Sequence, residues 1–215
     1  MGSLYLETNL KIIFMSAKSK PKLTVELVPS TCQFSNARTM LSKKDWDKVR
    51  FISYQKANNK CEICGDIGKN QGYNHNVECH EIWEYNDTEH IQKLIGLISL
   101  CPKCHHVKHI GRSIKVGIFH ECIVHISKVN LWNREKIDIH LKESFDLFEQ
   151  RSKFQWKLDI SILSQEPYNL IIDNNKERIF EVKKYKKKRK KKKTGAKKKT
   201  PVKSIIKKRP KRKSK

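Results

Sequence analysis

The stretches CEICG at residues 61–65 and LCPKCHHVKH at residues 100–109 each hold two cysteines that are separated by two residues. Two such C-x2-C pairs supply the four thiolates of a closed, tetrahedral zinc site. The histidines around the second pair are surplus to that site, so they predict a second, chemically active site beside it. We therefore expect structural Zn2+ on four residues: Cys61, Cys64, Cys101 and Cys104.

The positive charge of the chain is concentrated at its C-terminal end. The 215 residues carry a formal net charge of +25. Residues 182–215 hold 21 of the 47 Lys and Arg and no Asp or Glu, which leaves 26 basic against 22 acidic residues elsewhere, a net of +4. This pattern predicts a nearly balanced folded domain, followed by a lysine tail that cannot form a core.

Uncompensated lysine runs bind polyanions, because each lysine that neutralises a phosphate releases condensed counterions. We expect this tail to bind DNA without reading its sequence, with RNA as the alternative. The tail residues expected to contact phosphate are Lys183, Lys184, Lys186, Lys187, Lys188, Arg189, Lys190, Lys191, Lys192 and Lys193. In a eukaryotic cell or virus the run would also act as a nuclear-import signal, and in a bacterium it would anchor the protein to the nucleoid.

The cysteine and hydropathy patterns narrow the setting of the protein. Thiols in C-x2-C pairs beside histidines are typical of a metal site in a reducing, intracellular compartment. No stretch approaches the roughly 20 apolar residues of a membrane helix, so no membrane span is expected, and nucleic acid is expected as the partner of the tail in preference to an anionic membrane surface. We predict a flexible N-terminal extension at 1–21, a folded domain at 22–165, an irregular linker at 166–182 and a disordered tail at 183–215.

Residue patterns within the domain predict an α+β fold. Residues 22–28 and 77–83 have the character of strands. Ser42 followed by Asp45 is typical of a helix start, and Thr88 would begin a helix with an apolar face over residues 91–98. The other predicted helices are a short one that Pro102 begins and Gly111 closes, and longer ones at about 43–58, 115–130 and 134–151.

Three segments of the domain together resemble a known superfamily of nucleases. They are TVELVPSTCQFSNAR at 24–38, ECHEIWEYND at 78–87 and GLISLCPKCHHVKHIG at 96–111. A strand histidine, a following helix with histidines and two C-x2-C pairs resemble the HNH, or ββα-metal, endonucleases, and a bacterial and viral group of them over roughly 22–160. The resemblance implies a ββα core at about 61–111 and metal-dependent hydrolysis of DNA.

The resemblance also implies roles for individual histidines. His80 falls where the family has its general base, and His105 falls where it has a metal-binding histidine. His109 lies one helical turn further on the same face, and some family members use that position as a ligand as well. The catalytic ion implied is divalent: Mg2+, Mn2+, Ni2+ or Zn2+.

Two positions depart from the family pattern. Cys79 stands where the family has a metal-binding Asp or His, and Gly96 stands where it has the Asn that orients the base. A thiol suits Zn2+ or another soft ion but not Mg2+, unless Glu78 or Glu81 supplies an oxygen ligand instead. Because Glu78 and Glu81 project from opposite faces of a strand, we expect at most one of them to reach the metal.

The departures leave two alternatives to the nuclease. The domain would be an inactive HNH-fold protein that binds or packages nucleic acid, or a zinc module that docks another protein. Contacts with phosphate within the domain are expected from Arg38, His106 and Lys108, although a surface salt bridge is the commoner fate of an arginine. A single HNH site cuts one strand, so double-strand cutting would need a homodimer or a second event.

Overall fold

The computed structural model of the protein describes residues 20–172, and these form an α+β fold. The predicted fold class is confirmed, whereas the predictions for the N-terminal extension up to residue 19 and for the chain after residue 172, the basic tail included, lie outside the described residues. Within residues 20–172 there are six α-helices and one three-stranded sheet. The helices are α1 (Ala37–Met40), α2 (Lys43–Lys56), α3 (Pro102–Lys108), α4 (Ile110–Val116), α5 (Phe119–Asn130) and α6 (Arg134–Arg151).

The sheet is built on an antiparallel hairpin of β1 (Glu78–Asn86) and β2 (Ile91–Leu100). The short strand β3 (Lys157–Asp159) adds to the other edge of β2 in parallel. His80 on β1 lies opposite Ile98 on β2, and Pro102 begins α3 almost directly after β2 ends. The hairpin and α3 therefore follow one another as strand, strand and helix, and they bring His80 towards the histidines of α3.

Two sequence predictions about this region are wrong. The residues after Thr88 form β2 rather than a helix, because three isoleucines and the pairing with β1 favour a strand over the helical spacing of the apolar residues. The predicted strand at 22–28 is extended but does not join the sheet. Its backbone N–H groups instead bond elsewhere: that of Leu23 to the Asn130 side chain, and that of Val25 to His140 Nε2, each at 2.9 Å.

The helix boundaries agree with the sequence where capping residues set them. The Ser42 side chain accepts a hydrogen bond from the Asp45 N–H at 3.1 Å and begins α2. The predicted strand at 77–83 and the predicted helix at 134–151 are confirmed as β1 and α6. Gly111, expected to close α3, lies inside α4 instead. Gly117, at φ +84°, separates α4 from α5 and so divides the region predicted as one helix.

The buried residues form two hydrophobic clusters. One joins Leu23 and Val25 to α3, α5 and α6, and it includes the buried members of the two cysteine pairs. The other packs α2 and β2 against residues 160–170 of the chain's last described segment. Of the histidines on β1 and α3, His80 is buried and His105 and His106 are partly exposed. No helix in the described part of the chain has the length and apolar character needed to cross a membrane.

Candidate metal centres

The four paired cysteines form a compact cluster of thiols. Their sulfur atoms all lie within 4.8 Å of one another, and Cys64 Sγ is 3.5 Å from Cys101 Sγ. A tetrahedral Zn2+ with Zn–S bonds of about 2.3 Å separates its sulfurs by roughly 3.8 Å, so these spacings fit a zinc ion. Cys61, Cys101 and Cys104 are buried, which also fits a closed site. This arrangement agrees with the predicted zinc site and could hold a metal ion such as zinc.

Local structure holds each pair in place. After Cys61 the chain turns tightly, with Gly65 at φ +77° donating its N–H to the Cys61 carbonyl at 2.9 Å. Cys101 precedes the first residue of α3, and Cys104 lies in its first turn. The ring Nε2 of His125, on α5, is 3.1 Å from Cys104 Sγ. The hydrogen bond with Cys104 lowers the pKa of Cys101, and hydrogen bonds with Cys101 raise the pKa values of Cys104 and Cys64, so the clustered sulfurs share protons that a bound metal would displace.

Three histidines form a second cluster beside the cysteines. His80 comes from β1, His105 from α3 and His109 from the residue where α3 ends, and one ring nitrogen of each lies within 4.8 Å of the others. The closest approach is 3.2 Å, between His80 Nδ1 and His109 Nε2. The rings meet edge to face, with centroids 4.6–5.4 Å apart. The structure therefore brings together the three histidines that the sequence singled out.

Glu26 holds the deepest of these histidines. Its Oε2 atom lies 3.0 Å from His80 Nε2, and His80 is only 5% exposed. Burial by itself would raise the pKa of Glu26, but the His80 hydrogen bond and the Lys108 charge lower it to about 2. Because Glu26 is thus ionised near neutral pH, His80 Nε2 carries the proton and donates it. His80 Nδ1 is left as the nitrogen that faces the centre of the cluster.

Glu78 holds a second histidine in the same way. Its Oε2 atom is hydrogen-bonded to His105 Nδ1, and its Oε1 atom lies 3.1 Å from His75 Nε2. The His105 hydrogen bond lowers the pKa of Glu78 to about 2. A carboxylate that binds one ring nitrogen of a histidine fixes the ring and leaves the other nitrogen for a metal. His105 Nε2 is therefore directed to the cluster, and Glu78 acts through His105.

Burial keeps the inner histidines uncharged. Removal from water lowers the pKa of His109 to about 3, and the neighbouring His105 and His80 lower it further. Burial also lowers the pKa of His80, against the opposing effect of the Glu26 hydrogen bond. A neutral imidazole can accept a proton or bind a metal, whereas a protonated one can do neither. His80 and His109 are thus in the protonation state that either role requires.

The other β1 residues expected as ligands lie on the opposite face of the strand. Cys79 packs against the hydrophobic cluster of α2 and β2, and burial raises its pKa to about 12. Glu81 accepts a hydrogen bond from the Arg38 backbone N–H at 3.1 Å, and burial raises its pKa to about 7. Neither side chain joins the histidine group. The expectation that at most one of the two glutamates reaches the site agrees with the structure. Glu78 is the glutamate on the side of the site, and it contacts the site by its hydrogen bond to His105.

Gly96 is too far along β2 to orient His80. It pairs with Ile82, whereas His80 pairs with Ile98. The carboxylate of Glu26, which arrives from the extended segment before α1, occupies the orienting role instead. Sequence reasoning missed Glu26, because an acid at a polar position of the alternating stretch KLTVELV at 22–28 is typical of the solvent-facing side of a strand.

A cleft of about 1160 Å3 opens beside the histidines. His105 and His109 line it, and so does His106, which is partly exposed. The exposed Arg38 lies on its wall, where contact with phosphate is sterically open. The other basic residues of the lining are Lys43, Arg50, Lys69 and Arg112.

Lys108 does not fit its predicted contact with nucleic acid. The side chain is buried, with 6% exposure of the residue, and its Nζ donates to Thr24 Oγ1 at 3.0 Å and to Glu26. An amine so placed neutralises the Glu26 carboxylate rather than a phosphate. The pattern of basic residues in the sequence could not reveal this, because the partner lies 82 residues away.

Comparison of the chain with protein-family models, with curated proteins and with solved structures gave no match.

Proposed function

We propose that the protein is a metal-dependent HNH endonuclease that hydrolyses the phosphodiester backbone of DNA. The observation that carries the proposal is the group of His80, His105 and His109 beside a basic cleft, each presenting a ring nitrogen to one point. The order of β1, β2 and α3 is that of a ββα-metal module, and the cysteine cluster lies at the junction of β2 and α3, as the resemblance implies. The proposal thus rests on geometry together with motif spacing.

His80 is the proposed general base. Its Nε2–H is held by Glu26, so Nδ1 is the atom that would take the proton from the attacking water. Glu26 stabilises the imidazolium that forms, as a carboxylate does wherever it orients a catalytic histidine. The buried Lys108 keeps Glu26 ionised and fixed in position.

His105 and His109 are the proposed ligands of the catalytic ion. Each has a ring nitrogen available in the cluster, and the Glu78 carboxylate orients His105. A divalent ion bound there would hold a phosphate oxygen and stabilise charge on the leaving oxygen. Because the donors are imidazoles, and Cys79 and Glu81 lie on the other face of β1, the site favours Zn2+ or Ni2+ over Mg2+ and Mn2+.

Burial favours a second role for His80, that of a third ligand. His80 does not line the cleft, whereas His105 and His109 do, and its Nδ1 is 3.2 Å from His109 Nε2. Two nitrogens bound to one tetrahedral ion at about 2.1 Å lie roughly 3.4 Å apart, close to this spacing. The two roles differ in the effect of His80→Ala on metal affinity, which only the ligand role lowers.

The cysteine cluster supplies rigidity in this proposal. A ββα unit is too small to form a large core, so structural zinc on the four thiolates would fix α3 relative to β2. Arg38 and His106 would contact phosphate in the cleft, and the basic tail, which lies outside the described residues, would add sequence-independent affinity.

The test is cleavage of supercoiled plasmid by the full-length, zinc-loaded protein, with Mg2+, Mn2+, Ni2+ and Zn2+ titrated separately. Nicking that depends on the added ion and is lost in His80→Ala is the expected result. His120→Ala, in an exposed histidine of α5, is the matched control and should nick as the parent protein does. If His80→Ala nicks the plasmid as fast as the parent protein does, this site is not the catalytic site.

A second function is favoured by one observation, which is that the histidine group contains no carboxylate ligand. An HNH-fold protein that has lost an oxygen ligand would bind or package nucleic acid without cutting it. Tight binding of the plasmid with no cleavage in any of the four ions would establish this function in place of the nuclease.

A further inference from the structure

The lining of the cleft includes one exposed aromatic ring, that of Phe51, beside the partly buried ring of Tyr54. Phe51 on α2 is 51% exposed and lines the cleft, and Tyr54 lies edge-on to it with ring centroids 5.9 Å apart. The Arg50 guanidinium covers part of Phe51, at 4.4 Å from the ring centroid. Phe51 thus packs against Arg50 and Tyr54 and still leaves about half of its surface open to the cleft.

The charge of the cleft is complementary to a nucleic-acid backbone. Its two acidic residues are both engaged: Asp47 pairs with Arg50 at 2.8 Å, and Glu78 is bonded to His75 and His105. The cationic side chains of the lining thus outnumber the acids that neutralise them. This excess of positive charge along one cleft favours a polyanion as its ligand.

We propose that this cleft takes a single-stranded segment of nucleic acid, with an unpaired base stacked on Phe51. The inference rests on the proposed function, and it names the class of substrate for the same site. In a duplex the faces of the bases are covered by their neighbours, so a ring on the wall of a cleft meets a base face only where the strand is unpaired. Base stacking on aromatic rings, with arginine beside them, is the usual way in which proteins bind single strands without reading sequence.

The same arrangement would place the backbone near the histidines. Phe51 and the pair His105 and His109 line one cleft, so a strand whose base stacks on α2 runs past the proposed metal site. Arg112 on α4 and Arg50 on α2 lie in the same lining and would contact phosphates. Single-stranded DNA, or duplex DNA that is locally unpaired, is therefore the expected substrate, rather than intact duplex.

The experiment measures binding separately from cleavage. Fluorescence anisotropy of a labelled thymidine oligonucleotide and of a labelled hairpin duplex gives two affinities for the full-length, zinc-loaded protein without an added catalytic ion. Because all variants carry the same basic tail, a change in the ratio of the two affinities shows a change in binding within the cleft. We expect Phe51→Leu to weaken binding of the single strand by about 5- to 100-fold and to change duplex binding less than about twofold.

Two further variants separate base stacking from a general loss of exposed apolar surface. Phe51→Trp keeps an aromatic ring, so its affinity for the single strand should stay within about threefold of that of the parent protein. Ile95→Ala alters an exposed apolar residue of β2 and should change neither affinity. Single-strand binding that Phe51→Leu leaves intact, or an equal loss for both DNAs, would overturn the inference. If binding of the single strand depends on Phe51 but the protein cuts no DNA, the proposed single-strand binding in the cleft is supported and only the proposed nuclease activity is contradicted.

Discussion

The two candidate metal centres are adjacent yet built on different principles. The cysteine cluster is closed, with three of its four members buried, and its sulfurs come from one tight turn and from the start of α3. The histidine cluster opens to the cleft, and its rings are oriented by carboxylates from distant segments, Glu26 for His80 and Glu78 for His105. A closed thiolate site suits stability, whereas an open imidazole site with fixed rings suits chemistry.

Loss of the cysteine cluster should have the largest effect on the molecule. Cys104→Ser removes one thiolate and leaves α3 without its anchor to β2, so we expect loss of cooperative unfolding or a fall in Tm of at least about 10 °C. Thermal unfolding followed by circular dichroism measures this. The matched control is Cys122→Ser, a buried thiol of the same core outside the cluster, which should cost only a few degrees. Equal shifts in the two variants would contradict a structural metal.

Changes in the histidine cluster should affect chemistry and spare the fold. His80→Ala is expected to lower the rate of metal-dependent cleavage by about 10²- to 10⁴-fold, because no other base is held in place. Its metal affinity, measured by calorimetry, should stay within about threefold if His80 is the base. A parallel loss of metal binding would instead make His80 the third ligand.

Glu26 tests whether the orienting carboxylate matters. Glu26→Gln keeps the shape of the side chain but removes the charge that fixes the His80 tautomer, and we expect cleavage to fall by about 10- to 100-fold. The variant also removes the charged partner of the buried Lys108, which then keeps only neutral partners such as Thr24, and this lowers stability. The double variant Glu26→Gln, Lys108→Met should recover Tm but not activity. Recovery of activity with stability would reduce Glu26 to a structural role.

The smallest expected effect is on stability as a function of pH, through Glu81. Burial raises its pKa from 4.5 to about 7, so ionisation is unfavourable in the folded protein. Its contribution to stability is present below pH 4.5 and is lost as pH rises to about 7. The Gln side chain of Glu81→Gln cannot ionise. Between about pH 5 and about pH 8, the Tm of the parent protein should therefore fall by a few degrees more than the Tm of Glu81→Gln. Parallel curves for the two proteins would show that Glu81 ionises freely.

The sequence predicted those parts of the site that depend on local spacing. Two cysteines separated by two residues define a turn that presents both sulfurs to one ion, and His105 and His109 are one helical turn apart. The α+β class and the boundaries of α6 also followed from local periodicity and capping. These features need no knowledge of how distant segments meet.

The remainder depended on contacts between distant segments. Glu26 reaches His80 across 54 positions of sequence, and the extended segment that carries it resembles an ordinary strand. The helix expected after Thr88 proved to be β2, because pairing with β1 outweighs local spacing. Lys108 resembled a surface lysine until its burial beside Glu26 was known. Tertiary contacts decided all three, and no local pattern encodes them.

The central claim, that the histidine group binds a metal distinct from the zinc of the cysteines, is tested most directly by calorimetry of the zinc-loaded protein. Titration with Ni2+, which imidazole donors suit, should show one further ion per chain, lost in His105→Ala and retained in the control His120→Ala. Absence of a further binding event in the parent protein, or equal binding in His105→Ala, would contradict the account.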